Sequence, residues 1–366
     1  MGVLTEIARS FVSCKLRHRD WKKTDIYKGL NMYNTFKLSQ SQTGGGKSLI
    51  NIYLELNKLI KYWHCFPDTY FRFGMFLKDF GDMELMKTFV PQGAYYRYAA
   101  DKDSQYHILL DDKILFHDVM RMYHLPVPER YFVFQAGVFR RNGNIIDDAE
   151  VDDIISKITD ERVFIKRFRG GAASGISLAL RIDGALCSED GWKMTAQGIR
   201  NHLGSNNYIF EKQLKQDPVL SRLNPDTVNT FRVMTYKDKV VSCSIRVGRK
   251  GSYVDNAAKG GIVLSLDMRT GRIEEYGLRE YDLTKYYEHP DTKVVFKDYL
   301  VPQWPAVRQL VEKTVKLLPY YNSVGFDVAS TEDGPVIIEI NTGTGVYASQ
   351  MGKKVGIANQ FKTENS

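Results

Sequence analysis

The sequence predicts an α+β fold with mostly antiparallel sheets, and three observations lead there. Strand-like stretches follow one another across tight turns, as in YFVFQAGVFRRNGNII and VGFDVASTEDGPVIIEIN. Two stretches carry a clear helical stripe, one after Ser48 and one near Trp304. No fixed-period repeat and no low-complexity segment interrupts them, so a layered fold of helices and hairpins is the reading.

The elements follow in chain order. Leu4, Ile7, Ala8, Phe11 and Val12 fall on one helical face, with Lys15, Arg17, Arg19, Lys22 and Lys23 behind them. Such a basic amphipathic segment either packs on a core or lies on an anionic membrane surface. SQTGGGKS, residues 41–48, looks like a phosphate cradle. The nucleotide-loop rule needs glycine five residues before Gly46, and Ser41 stands there, so the stretch reads as a glycine loop before a helix. That helix runs from Ser48 to about Cys65, with Leu49, Ile52, Tyr53, Leu56, Leu59, Ile60 and Trp63 as its apolar set.

A Tyr- and Phe-rich region comes next, and DDKILFHDVMRMYHLPVPER then reads as a helix ended by a Pro-x-Pro segment. YFVFQAGVFRRNGNII predicts two strands around an Asn-Gly turn. ERVFIKRFRGGAASGISLALRI is strand, glycine loop, strand, and NNYIFEKQLKQDP is a strand leaving into a loop. From TFRVMTYKDKVVSCSIRVGRKG onward hairpins alternate with turns. A helix near Trp304 to Leu318 presents Val307, Leu310, Val311, Val315 and Leu318 on one face, before the final strands.

At 366 residues the chain can hold two or three cores. Its 43% hydrophobic and 26% charged content is that of a water-soluble globular protein, and no apolar run approaches the ~18 residues of a membrane span. The first twenty residues lack the apolar stretch of a secretory signal. Cys14, Cys65, Cys187 and Cys243 are scattered, which suits a reduced cytosol and argues against zinc. Seven histidines show no ligand spacing. The net charge of +8 points to an anionic partner, and no nucleic-acid-binding motif accompanies it. The expected location is the cytoplasm, or the inner face of the membrane if the N-terminal segment docks there.

The last hairpin carries the strongest local chemistry. Glu339 and Asn341, two apart on one strand, share a face. With Glu332-Asp333-Gly334 as a three-residue turn, Phe326 pairs with Ile340, Val328 with Ile338, and Asp327 faces Glu339. Val324, Phe326, Val328, Val336, Ile338 and Ile340 then share the other face, and a one-residue slip would bury the acid among aliphatics. Facing carboxylates repel, and an all-oxygen set with an amide suits Mg²⁺. Lys166 ends an apolar strand before Gly170, Gly171, Ser174 and Gly175, small residues that let backbone N–H groups approach phosphate oxygens. Lys113 is a lone lysine at a helix start. Glu211, Lys212, Gln213 and Leu214 end a strand whose main chain can meet an adenine edge, and Asp217 beyond them can reach a ribose hydroxyl.

The order of these elements resembles the ATP-grasp superfamily. LNPDTVNTFRVMTY, RVGRKGSYVDNAAKGGIV and VGFDVASTEDGPVIIEINTGTG are similar to the sugar-transfer-associated, teichuronopeptide-type ATP-grasp proteins, over about Asp111 to Met351. The resemblance implies two α+β subdomains with antiparallel sheets clasping ATP, over 111–217 and 218–366, after an N-terminal mainly helical or α/β domain over 1–110. It implies that Lys113 and Lys166 bear on the phosphates and that Gly170–Gly175 closes over them. Glu211, Lys212 and Leu214 would match the adenine segment, and Asp327, Glu339 and Asn341 the Mg²⁺ ligands. Arg232, Arg246, Asn256 and Lys259 would surround the γ-phosphate and acyl intermediate. Some amino-acid ligases of the superfamily carry an arginine two positions before the metal aspartate. Here that position is Gly325, so the oxyanion role passes to Arg232, Arg246 or Arg249.

The implied reaction is carboxylate–amine ligation through an acyl phosphate, with ATP and Mg²⁺. Its substrates would be small-molecule or glycan carboxylates and amines, such as an amino acid joined to a cell-surface polysaccharide precursor. Two other readings stay open from sequence: a small-molecule kinase on the same fold, and a non-catalytic basic module for RNA or membrane.

Overall fold

The computed structural model describes residues 45–99, 104–168, 175–252, 255, 260–279 and 284–361. The basic amphipathic stretch of residues 4–23 lies outside the described residues. The first described helix, α1 (Leu49–Trp63), starts where Ser48 Oγ accepts from the Asn51 amide at 3.3 Å and ends at His64 in a left-handed conformation. Ile52, Leu56, Leu59 and Trp63 are buried, as the stripe requires. Lys47 is held internally: its Nζ lies 3.0 Å from Glu55 and 2.9 Å from the Met75 carbonyl. Helix α2 (Gln92–Ala99) follows, and its Tyr95 packs edge-on to Phe361 near the other end of the chain.

Helix α3 (Lys113–Met122) leads into a seven-stranded antiparallel sheet. Its elements are β1 (Arg130–Gln135), β2 (Val138–Arg141), β3 (Asn144–Ile146), α4 (Asp148–Lys157), β4 (Arg162–Arg167), β5 (Ile176–Ile182), β6 (Ala185–Ser188), α5 (Ala196–Leu203) and β7 (Tyr208–Lys212), in spatial order β3-β2-β1-β7-β4-β5-β6. The first hairpin has three strands where the sequence suggested two. Besides Asn142-Gly143, the pair Ala136-Gly137 adopts positive φ at both residues (50° and 78°), which makes a second two-residue turn. Helix α4 is fixed by a reciprocal capping box between Asp147 and Glu150. Phe132, Phe134, Phe139, Val163, Phe210 and Ile199 form this sheet's core.

The second sheet contains β8 (Thr230–Tyr236), β9 (Lys239–Val247), β10 (Ile262–Asp267), β11 (Arg272–Arg279), β12 (Val324–Thr331) and β13 (Gly334–Thr342), in order β11-β10-β9-β8-β12-β13. Helix α6 (Trp304–Val315) covers one face with Trp304, Val307, Val311 and Val315, all buried. Each such side chain contributes about 1.5–3 kcal/mol of burial.

The last hairpin departs from the expected turn. Thr331 pairs with Gly334 and Val328 with Ile337, so the turn has two residues, Glu332-Asp333. The register shifts between Asp327 and Val328, and beyond that shift Asp327 faces Glu339 and Phe326 faces Ile340. The extra residue is therefore absorbed in the strand instead of the turn. Ile337, fully buried, takes the core place expected of Ile338.

Candidate functional site

Helix α3 joins the two sheets. Asp112 caps it, accepting from the Ile114 and Leu115 amides at 2.9 and 3.2 Å. The Lys113 amide donates to the Phe168 carbonyl beyond β4 at 3.1 Å. Phe116 and Met120 enter the core of the six-stranded sheet, while Asp111 Oδ1, just before the helix, accepts from Thr342 at the end of β13 at 2.9 Å. The adjoining stripe carries Lys113 and His117, one turn apart. Lys113 Nζ lies 3.6 Å from Glu339 on β13, and His117 Nε2 lies 2.9 Å from Glu211 on β7.

Glu211 also receives Lys166 from β4 in a short ion pair and is 3% exposed. Burial alone would push its carboxyl up, but the Lys166 ammonium and the His117 hydrogen bond override it and hold it at about 2. The end of β7 is therefore anchored by charge, and Gln213 to Lys215 leave the sheet irregularly, as the sequence suggested. Lys212 points to Glu129, 3.5 Å away.

On the six-stranded sheet a polar row crosses four strands in register: Glu339, Asp327, Arg232 and Ser244. Asp327 is 5% exposed. Its Oδ1 lies 3.0 Å from both Arg232 and Arg246, and its Oδ2 accepts from Asn341 Nδ2 at 3.3 Å. Burial and the adjacent Arg246 lower the proton affinity of Arg232, against the pull of Asp327. For Arg246 the burial cost is outweighed by Asp255, Asp327 and Glu339, and its proton is held more tightly than usual. Thr230, whose amide donates to Asp255 at 3.0 Å, accepts from Arg246 at 3.0 Å. Burial pushes the Asp255 carboxyl up, with Arg246 opposing.

Arg232 NH1 and Asp327 Oδ1, although close, make no aligned hydrogen bond and are buried. Of the two, the Asp327 oxygen is an acceptor of the kind Mg²⁺ takes, and Glu339 and the Asn341 amide add oxygens beside it. Among the described residues no three His, Cys, Asp or Glu side chains cluster tightly enough to hold a metal. A cation here would therefore complete its shell with non-protein oxygens, as Mg²⁺ does. On these grounds the donor set fits.

Two expected residues take other positions. Arg249 pairs with Asp291 at 2.7 and 3.0 Å, away from Asp327, because it follows the end of β9 and turns toward the 289–293 loop. Asp217 caps the short turn Pro218–Ser221 through the Val219 amide at 2.9 Å and accepts from Gln303 at 2.8 Å, so its carboxylate is spent inside the protein instead of reaching a ribose. Gly170, Gly171, Ser174, Asn256 and Lys259 lie outside the described residues. Gly175, at φ 78°, closes the β4–β5 hairpin, its carbonyl accepting from Arg167 at 2.8 Å. Sequence reasoning missed His117, Thr230 and Asp255. His117 had a signal, since it sits four residues after Lys113 and so on the same helix face. Asp255 lies in a loop and had none.

The described chain thus contains two antiparallel sheets facing a shared helix, with basic and acidic groups between them. The model of the sugar-transfer-associated ATP-grasp family matches residues 94–365. No curated protein sequence matches the chain. Similar solved structures include the ATP-grasp ligase PsnB complexed with minimal precursor, at 15% identity over 70% of this chain and 60% of that one, TM-score 0.36. They also include a D-alanine–D-alanine ligase from Bacillus anthracis, at 12% identity over 66% and 59%, TM-score 0.35. A third is a RimK-domain ATP-grasp protein from Sphaerobacter thermophilus DSM 20745, at 14% identity over 69% and 68%, TM-score 0.39. The match spans 60% and 59% of the length of the first two. With the family model matched across both sheets and the site between them, the chain belongs to the sugar-transfer-associated ATP-grasp family and has the ATP-grasp fold.

Proposed function

We propose that this protein is an ATP-dependent carboxylate–amine ligase working through an acyl phosphate. The observation that carries the reading is the convergence of Lys113, Arg232 and Arg246 on the facing acids Asp327 and Glu339. ATP would lie between the sheets, its adenine by the end of β7 and its phosphates toward Lys113 and Lys166. The Gly170–Gly175 stretch is proposed to cover them. The division into 1–110, 111–217 and 218–366 belongs to this proposal.

In the first step a substrate carboxylate oxygen attacks the γ-phosphorus, the bond to the β-phosphate oxygen breaks, and ADP leaves. An amine then attacks the acyl carbon, loses a proton, and expels phosphate to form the amide. Both steps gather negative charge on oxygens, which preorganised cations stabilise more than they would in water. Arg232 and Arg246 are partly buried and held by Asp327, Thr230 and Asp255, so they need little reorganisation. Asp327, Glu339 and Asn341 would hold Mg²⁺, which when bound supplies positive charge to the phosphate oxygens. The acid and amine are proposed to come from a cell-surface polysaccharide precursor and an amino acid, on the strength of the family description. Location at the cytoplasmic membrane face through residues 4–23 is part of the same proposal. Among the described residues, no helix is long and apolar enough to cross a membrane.

Incubation with MgATP, candidate uronic or amino acids and hydroxylamine tests the reaction. A ligase yields an acyl hydroxamate with stoichiometric ADP. A stable phosphorylated product without hydroxamate would assign the chain to phosphate transfer instead.

A further inference from the structure

Helix α3 has a second polar stripe, turned away from the cleft. Ile114, Asp118 and Arg121, at helical spacing, line a half-open cavity of about 220 Å³ against the β1–β2 hairpin, where Arg130, Arg140 and Arg141 complete it. Four guanidinium groups thus meet one carboxylate. Arg130 is the built element: its side chain is 10% exposed, one terminal nitrogen pairs with Asp118, and the other, NH1, is buried with no hydrogen-bond partner. A register shift between Arg130 and Phe132 re-aims this side chain, as bulges do beside sites. Arg121 donates to Asn142 at 3.2 Å. Among the described residues neither Arg140 nor Arg141 forms an ion pair. An unspent, buried guanidinium donor is costly, and forked guanidinium groups match oxyanions. Tyr131, Phe132 and Val133 add an apolar wall.

We propose that this pocket is an oxyanion site, distinct from the cleft between the sheets, for a small molecule bearing a phosphate or carboxylate group. Arg130 NH1 is its central donor, with Arg140 and Arg141 at the mouth. The site does not depend on the ligase reading. The cleft and the pocket use adjacent stripes of one helix, Lys113 and His117 on one side, Ile114, Asp118 and Arg121 on the other.

Calorimetric titration of the full chain with sodium phosphate, and separately with succinate, at constant ionic strength tests it. Saturable binding is expected for at least one of the two, and which one binds identifies the preferred oxyanion. The affinity should fall at least tenfold in R130Q and in the double variant R140Q/R141Q, at a half-buried and an exposed position, and stay unchanged in K166A. The double variant keeps the test intact if R130Q fails to fold. No saturable binding beyond a sodium chloride control overturns the proposal. So does binding lost in K166A but kept in R140Q/R141Q, since that would place the anion in the nucleotide cleft. MgATP titrations of the same variants report on the ligase reading separately.

Discussion

Asp327 on β12 faces Glu339 on β13 in register, and two partly buried arginines, Arg232 and Arg246, lie 3.0 Å from the same Asp327 oxygen. The two acids differ in their partners. Asp327 lies against two arginines, whereas Glu339 forms its ion pair with Lys113, 3.6 Å away, acts on Arg246 from further off, and is more exposed.

Glu339→Gln should therefore cost little stability, within about 0.5 kcal/mol, and reduce ATP turnover at least 100-fold. Asp327→Asn leaves two partly buried guanidinium groups short of a counter-charge and should destabilise by about 3 kcal/mol. Denaturant midpoints and ADP release measure both. Full turnover in Glu339→Gln would remove this residue from the metal site.

Three lysines are separated by one binding series. Lys166→Ala and Lys113→Ala should each weaken MgATP binding about tenfold or more, the cost of one charge-assisted contact. Lys47→Ala should leave it unchanged, because Lys47 is occupied by Glu55 and the Met75 carbonyl. A loss of nucleotide in Lys47→Ala would reinstate the glycine loop as a phosphate site.

Glu211 predicts a pH dependence. Its folded-state pKa, about 2, lies below the ordinary 4.5. Its contribution, on the order of 3 kcal/mol, is whole above the unfolded pKa and is lost as pH falls through the folded value. Glu211→Gln should be less stable than wild type at pH 7, with the gap closing between pH 5 and pH 2. Thermal melts across that range measure it, and a gap that stays constant would show the ion pair to be energetically neutral.

Gly325 stands where some relatives in the superfamily would carry an arginine, and the structure explains why none fits. A Cβ at Gly325 would come within 2.4 Å of the Thr344 hydroxyl oxygen and 2.8 Å of Thr344 Cβ. Gly325→Ala should destabilise by about 1–3 kcal/mol through overpacking, and Gly325→Ala/Thr344→Gly should recover most of it. In the proposed reaction Arg232 on β8 and Arg246 on β9 would supply the positive charge instead.

Much of the fold is written in local pattern. The helix after Ser48, the strands around Lys166 and the helix at Trp304 all show in apolar spacing, because each buries one face and leaves the other wet. The facing of Asp327 and Glu339 was also legible, since a one-residue slip would put a carboxylate among Phe326, Val328 and Ile340. The turn was misplaced by one residue. A bulge costs little at either end of a hairpin, and only the packing of Ile337 under α6 and its bond to the Pro126 carbonyl decide where the extra residue goes.

The sequence by itself determined the antiparallel α+β plan, the acidic hairpin and the supply of lysines and arginines around it. The tertiary structure alone decided which arginines reach Asp327, that Arg249 turns to Asp291, that Asp217 caps a turn, and that His117 and Asp255 join the charged groups. Local spacing sets which face a side chain leaves. Which opposite charge it meets depends on elements that lie tens to more than two hundred residues apart in the chain, and that is fixed only when the cores close.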